Sequence, residues 1–194
     1  MRKRVLVGSF GVAAFALATA CSDLVQPVPT SPAAGGQQSA LTSLLIAPVQ
    51  RSQALTEDVT WSFDVGPGGA TSTNAAAGLA ISVPMGAVSQ PVTITVTALA
   101  ANAVAYRFEP HGLQFNRSVY LTQDLRHTTL GILTGLTLSG AYFTTDTLEL
   151  SNGLAAVTEI ISAWTNPFSR TATFPIRHFS GYILASGRDG TTEE

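Results

Sequence analysis

The segment VTITVTAL (Val92–Leu99) decides the fold, because its side chains alternate strictly between apolar and polar. Val92, Ile94 and Val96 fall on one face of an extended chain, and the threonines between them fall on the other. Successive side chains of a β-strand point to opposite faces, so this period of two predicts a half-buried strand. From Leu41 onward no segment shows a sustained helical period. The chain beyond that point is therefore expected to be all-β.

Other short segments repeat this pattern. In SVYLTQ (118–123), alternation places Val119, Leu121 and Gln123 on one face and Tyr120 on the other. Turn-forming residues separate such segments at intervals of about eight to twelve residues, a spacing typical of an antiparallel β-sandwich.

The domain organisation follows from these patterns. We expect a signal helix in residues 1–20, a disordered tether in 21–40, a linker or short helix in 41–56, an antiparallel β-sandwich in 57–187, and a disordered tail in 188–194. The tether segment is assigned on composition, since its prolines, paired glycines and lack of aromatic residues leave too little apolar surface to fold.

Charge excludes one class of partner. Only 11% of the 194 residues are charged and 45% are apolar. From Cys21 onward the chain has seven arginines, no lysine and twelve acidic residues, a net charge of −5. A long polyanion is bound through clustered basic residues, so this balance argues against nucleic acid. The single cysteine excludes an intramolecular disulfide.

The first residues have the form of a bacterial export signal. Three cations, Arg2–Arg4, precede the uncharged, mostly apolar run Val5–Ala20, which ends in small residues directly before Cys21. That order is typical of a secretory signal peptide, and the run is shorter than the roughly 20 residues that span a bilayer.

The residues around Cys21 resemble a bacterial lipobox, although Leu17 lies four places before the cysteine and Ala18 takes the usual leucine position. The resemblance implies cleavage before Cys21, a diacylglyceryl thioether on its sulfur, and a fatty acyl group such as palmitate on its amine. Residue Ser22, rather than an aspartate, favours the outer membrane by the same resemblance. The alternative is ordinary signal cleavage that leaves a free cysteine.

Four phrases in order resemble the ZU-five domain, a β-sandwich of zonula occludens proteins, netrin receptors, ankyrins and many bacterial exported proteins. They are VGPGGA (65–70), LAISVPMGAVSQPVTITVTAL (79–99), FEPHGLQFNRSVYLTQDL (108–125) and the closing HFSGY (178–182). The resemblance covers roughly residues 58–186. It implies a protein-interaction and scaffolding module.

Within that family some animal members cut themselves at a His-Phe-Ser triplet, and this chain carries the same triplet. The resemblance implies His178 as base, Phe179 as carbonyl donor and Ser180 as nucleophile attacking the preceding peptide bond. The alternative, which we favour, is that Phe179 fills the core as the last strand begins while its neighbours hydrogen-bond at the sheet edge.

Other candidate sites are sparse. No nucleophile elbow, phosphate-binding loop or metal motif is present, so no cofactor or metal is expected. His111 is interpreted as a turn residue, and Asp124, Arg126 and His127 as a solvated polar loop. Trp61 and Trp164 are candidates for stacking on a sugar, with buried packing preferred for both.

The sequence thus predicts a non-enzymatic, envelope-anchored lipoprotein with a binding or scaffolding β-sandwich. Its expected partners are the membrane, through lipid on Cys21, and another envelope protein or a surface glycan. Self-cleavage between Phe179 and Ser180 is one alternative, and a surface saccharide-binding module is the other.

Overall fold

The structure is a computed structural model that describes residues 44–130, 137–144 and 148–188. The expected signal peptide, Cys21, the tether and most of the tail lie outside these residues. The described part contains fourteen strands and one 3-10 turn. The first seven strands are β1 (Leu44–Pro48), β2 (Val59–Val65), β3 (Ala70–Asn74), β4 (Leu79–Val83), β5 (Val92–Ala98), β6 (Ala105–Glu109) and β7 (Gln114–Asp124), and the 3-10 turn is Leu125–His127. The others are β8 (Leu138–Phe143), β9 (Leu150–Ser151), β10 (Leu154–Val157), β11 (Glu159–Ser162), β12 (Trp164–Asn166), β13 (Thr171–His178) and β14 (Gly181–Arg188).

All strand pairs among the described residues are antiparallel and form two sheets, which confirms the all-β expectation. The smaller sheet has the order β12-β13-β7-β4-β3. The larger sheet follows β2-β5-β6-β14-β1-β10-β9, and β8 joins it by pairing with both β14 and β11. The alternating segment that opened the sequence analysis is β5, which pairs with β2 along seven residues.

The main apolar core draws side chains from both sheets, so the arrangement is sandwich-like. Ile94, Val96 and Phe108 come from the larger sheet, and Leu121 and Phe174 come from the smaller one. Strands β4, β7 and β13 contribute alternate residues to this core, as the period of two requires. A second, smaller cluster of buried apolar residues includes Ile46, Ala141, Phe143, Val157 and Ile183, all from strands of the larger sheet.

The expectation of a linker or short helix in residues 41–56 is corrected by the structure. Leu44–Pro48 forms strand β1, which pairs with β10 on one side and β14 on the other. Five residues are too few to show a clear period, so the apolar run LLIAP gave no decisive signal. Strands β10 and β14 supply the backbone partners that make this segment extended, and the β-domain therefore begins before residue 57.

Phe179 lies at the centre of the main core. Its side chain is 1% exposed, stacks on Phe108 with ring centroids 5.0 Å apart, and meets Phe115 edge-on at 4.7 Å. Phe108 belongs to the larger sheet and Phe115 to β7 of the smaller one. The Phe179 ring therefore joins the two sheets.

We expect Phe179→Ala to lower the free energy of unfolding by about 3–5 kcal/mol, because it removes a buried ring and leaves a cavity. The matched control is Phe168→Ala, since Phe168 is 98% exposed; its effect should stay within about 0.5 kcal/mol. Urea unfolding followed by tryptophan fluorescence measures both values. Similar values for the two variants would contradict the central position of Phe179.

Candidate functional site

The His-Phe-Ser triplet lies at the junction of the last two long strands. His178 ends β13, and Phe179 and Ser180 connect it to β14. The expected core position of Phe179 is confirmed by its burial. Ser180 is also buried.

The imidazole of His178 is directed at groups other than Ser180. Its Nδ1 lies 3.2 Å from the Tyr182 hydroxyl, and its Nε2 lies 3.7 Å from a carboxylate oxygen of Glu159. The ring also meets Tyr142 edge-on, with centroids 4.9 Å apart. Burial, followed by the nearby Glu159 charge, raises the pKa of Tyr182, so its hydroxyl stays protonated and donates to the His178 carbonyl at 2.9 Å.

A histidine base must reach the serine hydroxyl within about 2.6–3.2 Å. Among the described residues, no side-chain hydrogen bond joins His178 and Ser180. Instead, Nδ1 faces the Tyr182 hydroxyl and Nε2 faces the Glu159 carboxylate. This arrangement suits an interstrand polar contact between β13, β14 and β11.

The backbone around the Phe179–Ser180 peptide makes regular hydrogen bonds. The Phe179 carbonyl accepts from the Gly112 N–H at 3.0 Å, and the Phe179 N–H donates to Leu113 O at 2.9 Å. The Ser180 carbonyl accepts from the Phe108 N–H at 3.0 Å. Backbone strain at the scissile peptide bond is one way to promote self-cleavage, yet the non-glycine residues with positive φ in the described chain lie elsewhere, at Asn152 and Arg170.

We expect the full chain to run as one species with an intact backbone at Phe179–Ser180, because no base is positioned on the Ser180 hydroxyl. Intact-mass spectrometry after prolonged incubation measures this. Ser180→Ala is the control and should leave the spectrum unchanged apart from the substitution. A fragment beginning at Ser180 that disappears in the variant would show that cleavage occurs.

The second candidate site is the surface of the smaller sheet that faces away from the main core. We call it the outer sheet face. Its side chains are exposed or half-buried, whereas their neighbours along β4, β7 and β13 are buried. It consists of Thr71, Thr73, Ala80, Ser82, Tyr120, Thr122, Trp164, Thr171, Thr173 and Pro175.

Two aromatic side chains lie on the outer sheet face. Trp164 is 52% exposed and meets Tyr120 edge-on, with ring centroids 5.9 Å apart. The preference for buried packing was therefore wrong for Trp164. Trp61 is half-buried against the core, and its indole N–H donates to the Ser72 hydroxyl at 3.1 Å.

The reason for the difference at Trp164 is a change of sheet. The segment AAVTEIISAW (155–164) has no turn residues in its interior and predicts one strand before a turn at 165–167, but residues 154–166 divide into β10, β11 and β12. The first two belong to the larger sheet, whereas β12 pairs with β13 at the edge of the smaller one. Trp164 pairs with Thr173, whose side chain points outward, so the indole points outward too.

Hydroxyl groups cover much of the area around the two rings. One row across the sheet runs from Thr73 through Ala80, Thr122 and Thr173 to Trp164. The hydroxyls of Thr122 and Thr173 are 2.9 Å apart. A surface of flat rings and hydroxyls offers both apolar contact and hydrogen bonds to a flat polar ligand.

A cavity of about 360 Å³ opens at one end of the outer sheet face, and we call it the Asp124 cavity. The Arg126 guanidinium donates to both carboxylate oxygens of Asp124 at 2.6–3.1 Å, and His127 Nε2 lies 3.9 Å away. The hydrogen bonds from Arg126 hold the pKa of Asp124 below its ordinary value. The carboxylate is therefore ionised at neutral pH and accepts hydrogen bonds. The cavity is lined mainly by Thr73, Asn74, Gly78, Thr122, Asp124, Arg126, His127 and Thr171.

Buried polar groups support the wall of the Asp124 cavity from behind. The carbonyl of Ala77, in the turn between β3 and β4, accepts from Arg51 Nη1 at 3.0 Å and from the Tyr106 hydroxyl at 2.9 Å. The Tyr106 hydroxyl also contacts the amide oxygen of Gln123. Asn74 accepts from the Ala77 N–H at 3.0 Å. Burial raises the pKa of Tyr106, so its hydroxyl remains a donor.

A second cavity, of about 330 Å³, lies near the other end of β7, and we call it the Arg177 cavity. Arg117 donates to the Met85 carbonyl at 3.1 Å. Within the described residues, no hydrogen bond or ion pair engages the guanidinium of Arg177, which is exposed. Tyr120 lines this cavity and also contacts Trp164, so the cavity continues into the aromatic part of the outer sheet face. The lining is Pro84, Asn116, Arg117, Ser118, Tyr120 and Arg177.

The remaining residues that the sequence singled out form no further candidate site among the described residues. His111 lies in the exposed turn before β7. In residues 44–130, 137–144 and 148–188, no three His, Cys, Asp or Glu side chains are grouped closely enough to hold a metal ion. The same residues include no helix that is long and apolar enough to cross a membrane.

No family model matches this chain, and no curated protein matches it either. The class that the described residues define is thus an antiparallel, sandwich-like β-domain with one aromatic, hydroxyl-rich sheet face between two cavities.

Proposed function

We propose that this chain is a non-enzymatic, lipid-anchored protein of the bacterial cell envelope whose β-domain binds a saccharide through the outer sheet face. The observation that carries the proposal is the exposure of Trp164 beside Tyr120 on an open sheet face. Aromatic rings supply large rigid contact area with few rotatable bonds, so they favour binding to a flat ligand.

The groups around the rings match the polar chemistry of sugars. Thr122 and Thr173 supply hydroxyls that donate and accept, and Asp124 supplies an ionised acceptor. Trp164 and Thr122 are two strands apart in one row, a separation of about 10 Å at the usual strand spacing. The Asp124 cavity and the rings therefore lie within reach of one extended oligosaccharide.

Protein scaffolding is the second candidate and has less support. The large exposed apolar side chains outside the outer sheet face belong to separate strands and turns, at Leu45, Met85, Leu150 and Phe168. Docking to a protein is favoured by a contiguous apolar patch, whereas scattered apolar residues are normal on a soluble surface.

The membrane part of the proposal rests on Cys21 and its resemblance to a lipobox. We expect Cys21→Ala to move the protein from the membrane fraction to the soluble fraction, because each buried methylene of an acyl chain contributes about 0.8 kcal/mol to anchoring. Immunoblotting of separated fractions measures the shift, and intact mass measures the lost acyl groups. A wild-type protein without added lipid mass would contradict this part.

Binding is tested with a reporter that the chain already offers. The sequence has two tryptophans, so Trp61→Phe leaves Trp164 as the sole tryptophan. We expect titration with a panel of soluble polysaccharides to shift Trp164 emission to shorter wavelength for at least one polymer, because stacking excludes water from the indole. The full chain in a non-ionic, non-aromatic detergent is the sample.

The variants that test the site are Trp164→Ala and Tyr120→Ala, followed by native gel retardation with the same polymers. Each should weaken binding about tenfold or more, which corresponds to about 1.4 kcal/mol. Trp61→Phe is the matched control and should bind as the wild type does. Unchanged binding in Trp164→Ala would exclude the outer sheet face, and absence of binding across the panel would contradict saccharide binding.

A further inference from the structure

The charge of the smaller sheet is opposite in sign to that of the chain as a whole. Its strands, the turn between β12 and β13, and the 3-10 turn after β7 carry four arginines, Arg117, Arg126, Arg170 and Arg177, and one acidic residue, Asp124. The chain from Cys21 onward has a net charge of −5. Positive charge is thus concentrated beside the outer sheet face, where it raises the local concentration of anionic ligands.

Most of that positive charge is available to a ligand. Asp124 neutralises Arg126 alone, through the hydrogen bonds described above. Arg117 uses one nitrogen on the Met85 carbonyl, a neutral acceptor. Arg177 is exposed, and its guanidinium has no hydrogen bond or ion pair with another described residue. Arg117 and Arg177 together line one cavity, into which no described carboxylate projects.

A further cation lies behind the other cavity. Arg51 is buried beneath the turn that forms a wall of the Asp124 cavity, and it bonds to Ala77 O and Tyr106 without a carboxylate partner in the described chain. Interactions of a buried charge are screened less than those at the surface. Arg51 therefore adds positive potential at the end of the outer sheet face opposite to Arg177.

We infer that the saccharide bound by the outer sheet face is acidic, a polymer of carboxylate-bearing sugars such as hexuronates. Guanidinium groups bind planar carboxylates through two parallel hydrogen bonds, so Arg117 and Arg177 hold a uronate carboxylate in the Arg177 cavity. Tyr120 and Trp164 then stack on the neighbouring rings of the same polymer. This inference rests on the proposed function, because it names the sugar class for the same site.

The arrangement of charge favours a polysaccharide over a nucleic acid. The basic groups are separated into two cavities at different positions along β7, with neutral hydroxyls and aromatic rings between them. Duplex nucleic acid carries closely and evenly spaced phosphates, which are matched by a continuous basic stripe. A uronate polymer with intervening neutral contacts fits the spaced charges better.

The experiment compares polygalacturonate with the same polymer after full methyl esterification, which removes the carboxylate charge and keeps the sugar backbone. Trp164 emission in the Trp61→Phe full chain reports binding, with a chelator present to remove divalent cations. We expect about tenfold or greater preference for the acid form. Raising NaCl from about 0.05 M to about 0.5 M should weaken binding of the acid form and leave binding of the ester unchanged.

Variants at one position give the matched control. Arg177→Gln should lower affinity for polygalacturonate about fivefold or more without changing affinity for the ester. Arg177→Lys should retain only part of the acid preference, because it keeps the charge but loses the paired hydrogen bonds of the guanidinium. Trp164→Ala removes the fluorescent reporter, so its binding is measured by native gel retardation, and it should weaken binding of both polymers.

The outcomes separate this inference from the proposed function. Equal affinity for acid and ester, both lost in Trp164→Ala, would overturn the acidic class and leave saccharide binding supported. Binding of neither polymer would overturn the acidic class, and the wider panel would then decide the proposed function. Tighter binding to a single-stranded oligonucleotide or to anionic lipid vesicles than to polygalacturonate would also overturn the inference that the ligand is an acidic saccharide.

Discussion

A buried hydrogen-bonded network among Arg51, Tyr106 and Gln123 holds the two sheets and the first strand in one arrangement. Arg51 follows β1, Tyr106 belongs to the larger sheet, and Gln123 belongs to the smaller one. All three converge on the Ala77 carbonyl in the β3–β4 turn. Polar groups that are removed from water must find partners, so the network specifies one alignment of these elements far more strictly than apolar contacts do. The turn that it orders is also a wall of the Asp124 cavity, and this links the interior of the protein to its proposed binding surface.

Strand alternation places the core and the proposed binding surface on opposite faces of the same strands. In β7, Val119 and Leu121 are buried while Tyr120 and Thr122 face outward. A shift of one residue in the pairing would place Tyr120 inside and Leu121 in water. The regular pairing of β7 with β4 and β13 therefore fixes the spacing of rings and hydroxyls that a sugar polymer would meet. Rigid presentation of this kind favours binding, because less conformational entropy is lost when the ligand is held.

Local alternation predicted much of this fold, and long-range pairing accounts for what it did not predict. The period of two identified β5 and grouped Gln123 with Val119 and Leu121 on the face of β7 opposite Tyr120, and that grouping is confirmed by their burial. It did not identify β1, whose extended form depends on β10 and β14 more than one hundred residues later in the chain. It also did not show that Trp164 leaves the larger sheet, because only Ala163, which is not a turn-forming residue, separates β11 from β12. The charge of the outer sheet face was hidden for a similar reason: its arginines are dispersed in the sequence from 117 to 177 and come together only when β7 and β13 pair.

The glycine of the His-Phe-Ser-Gly phrase, Gly181, has a steric explanation. A methyl group at this position would lie 2.3 Å from the ring of Phe143, so only glycine fits where β14 passes beneath that ring. Phe179 is held between the sheets, and His178 is held by Tyr182 and Glu159. Packing and interstrand contacts thus account for three of the four residues without any reaction. Another protein that shares this tetrapeptide resembles the present chain in how two strands meet, and the shared letters alone are no measure of shared reactivity.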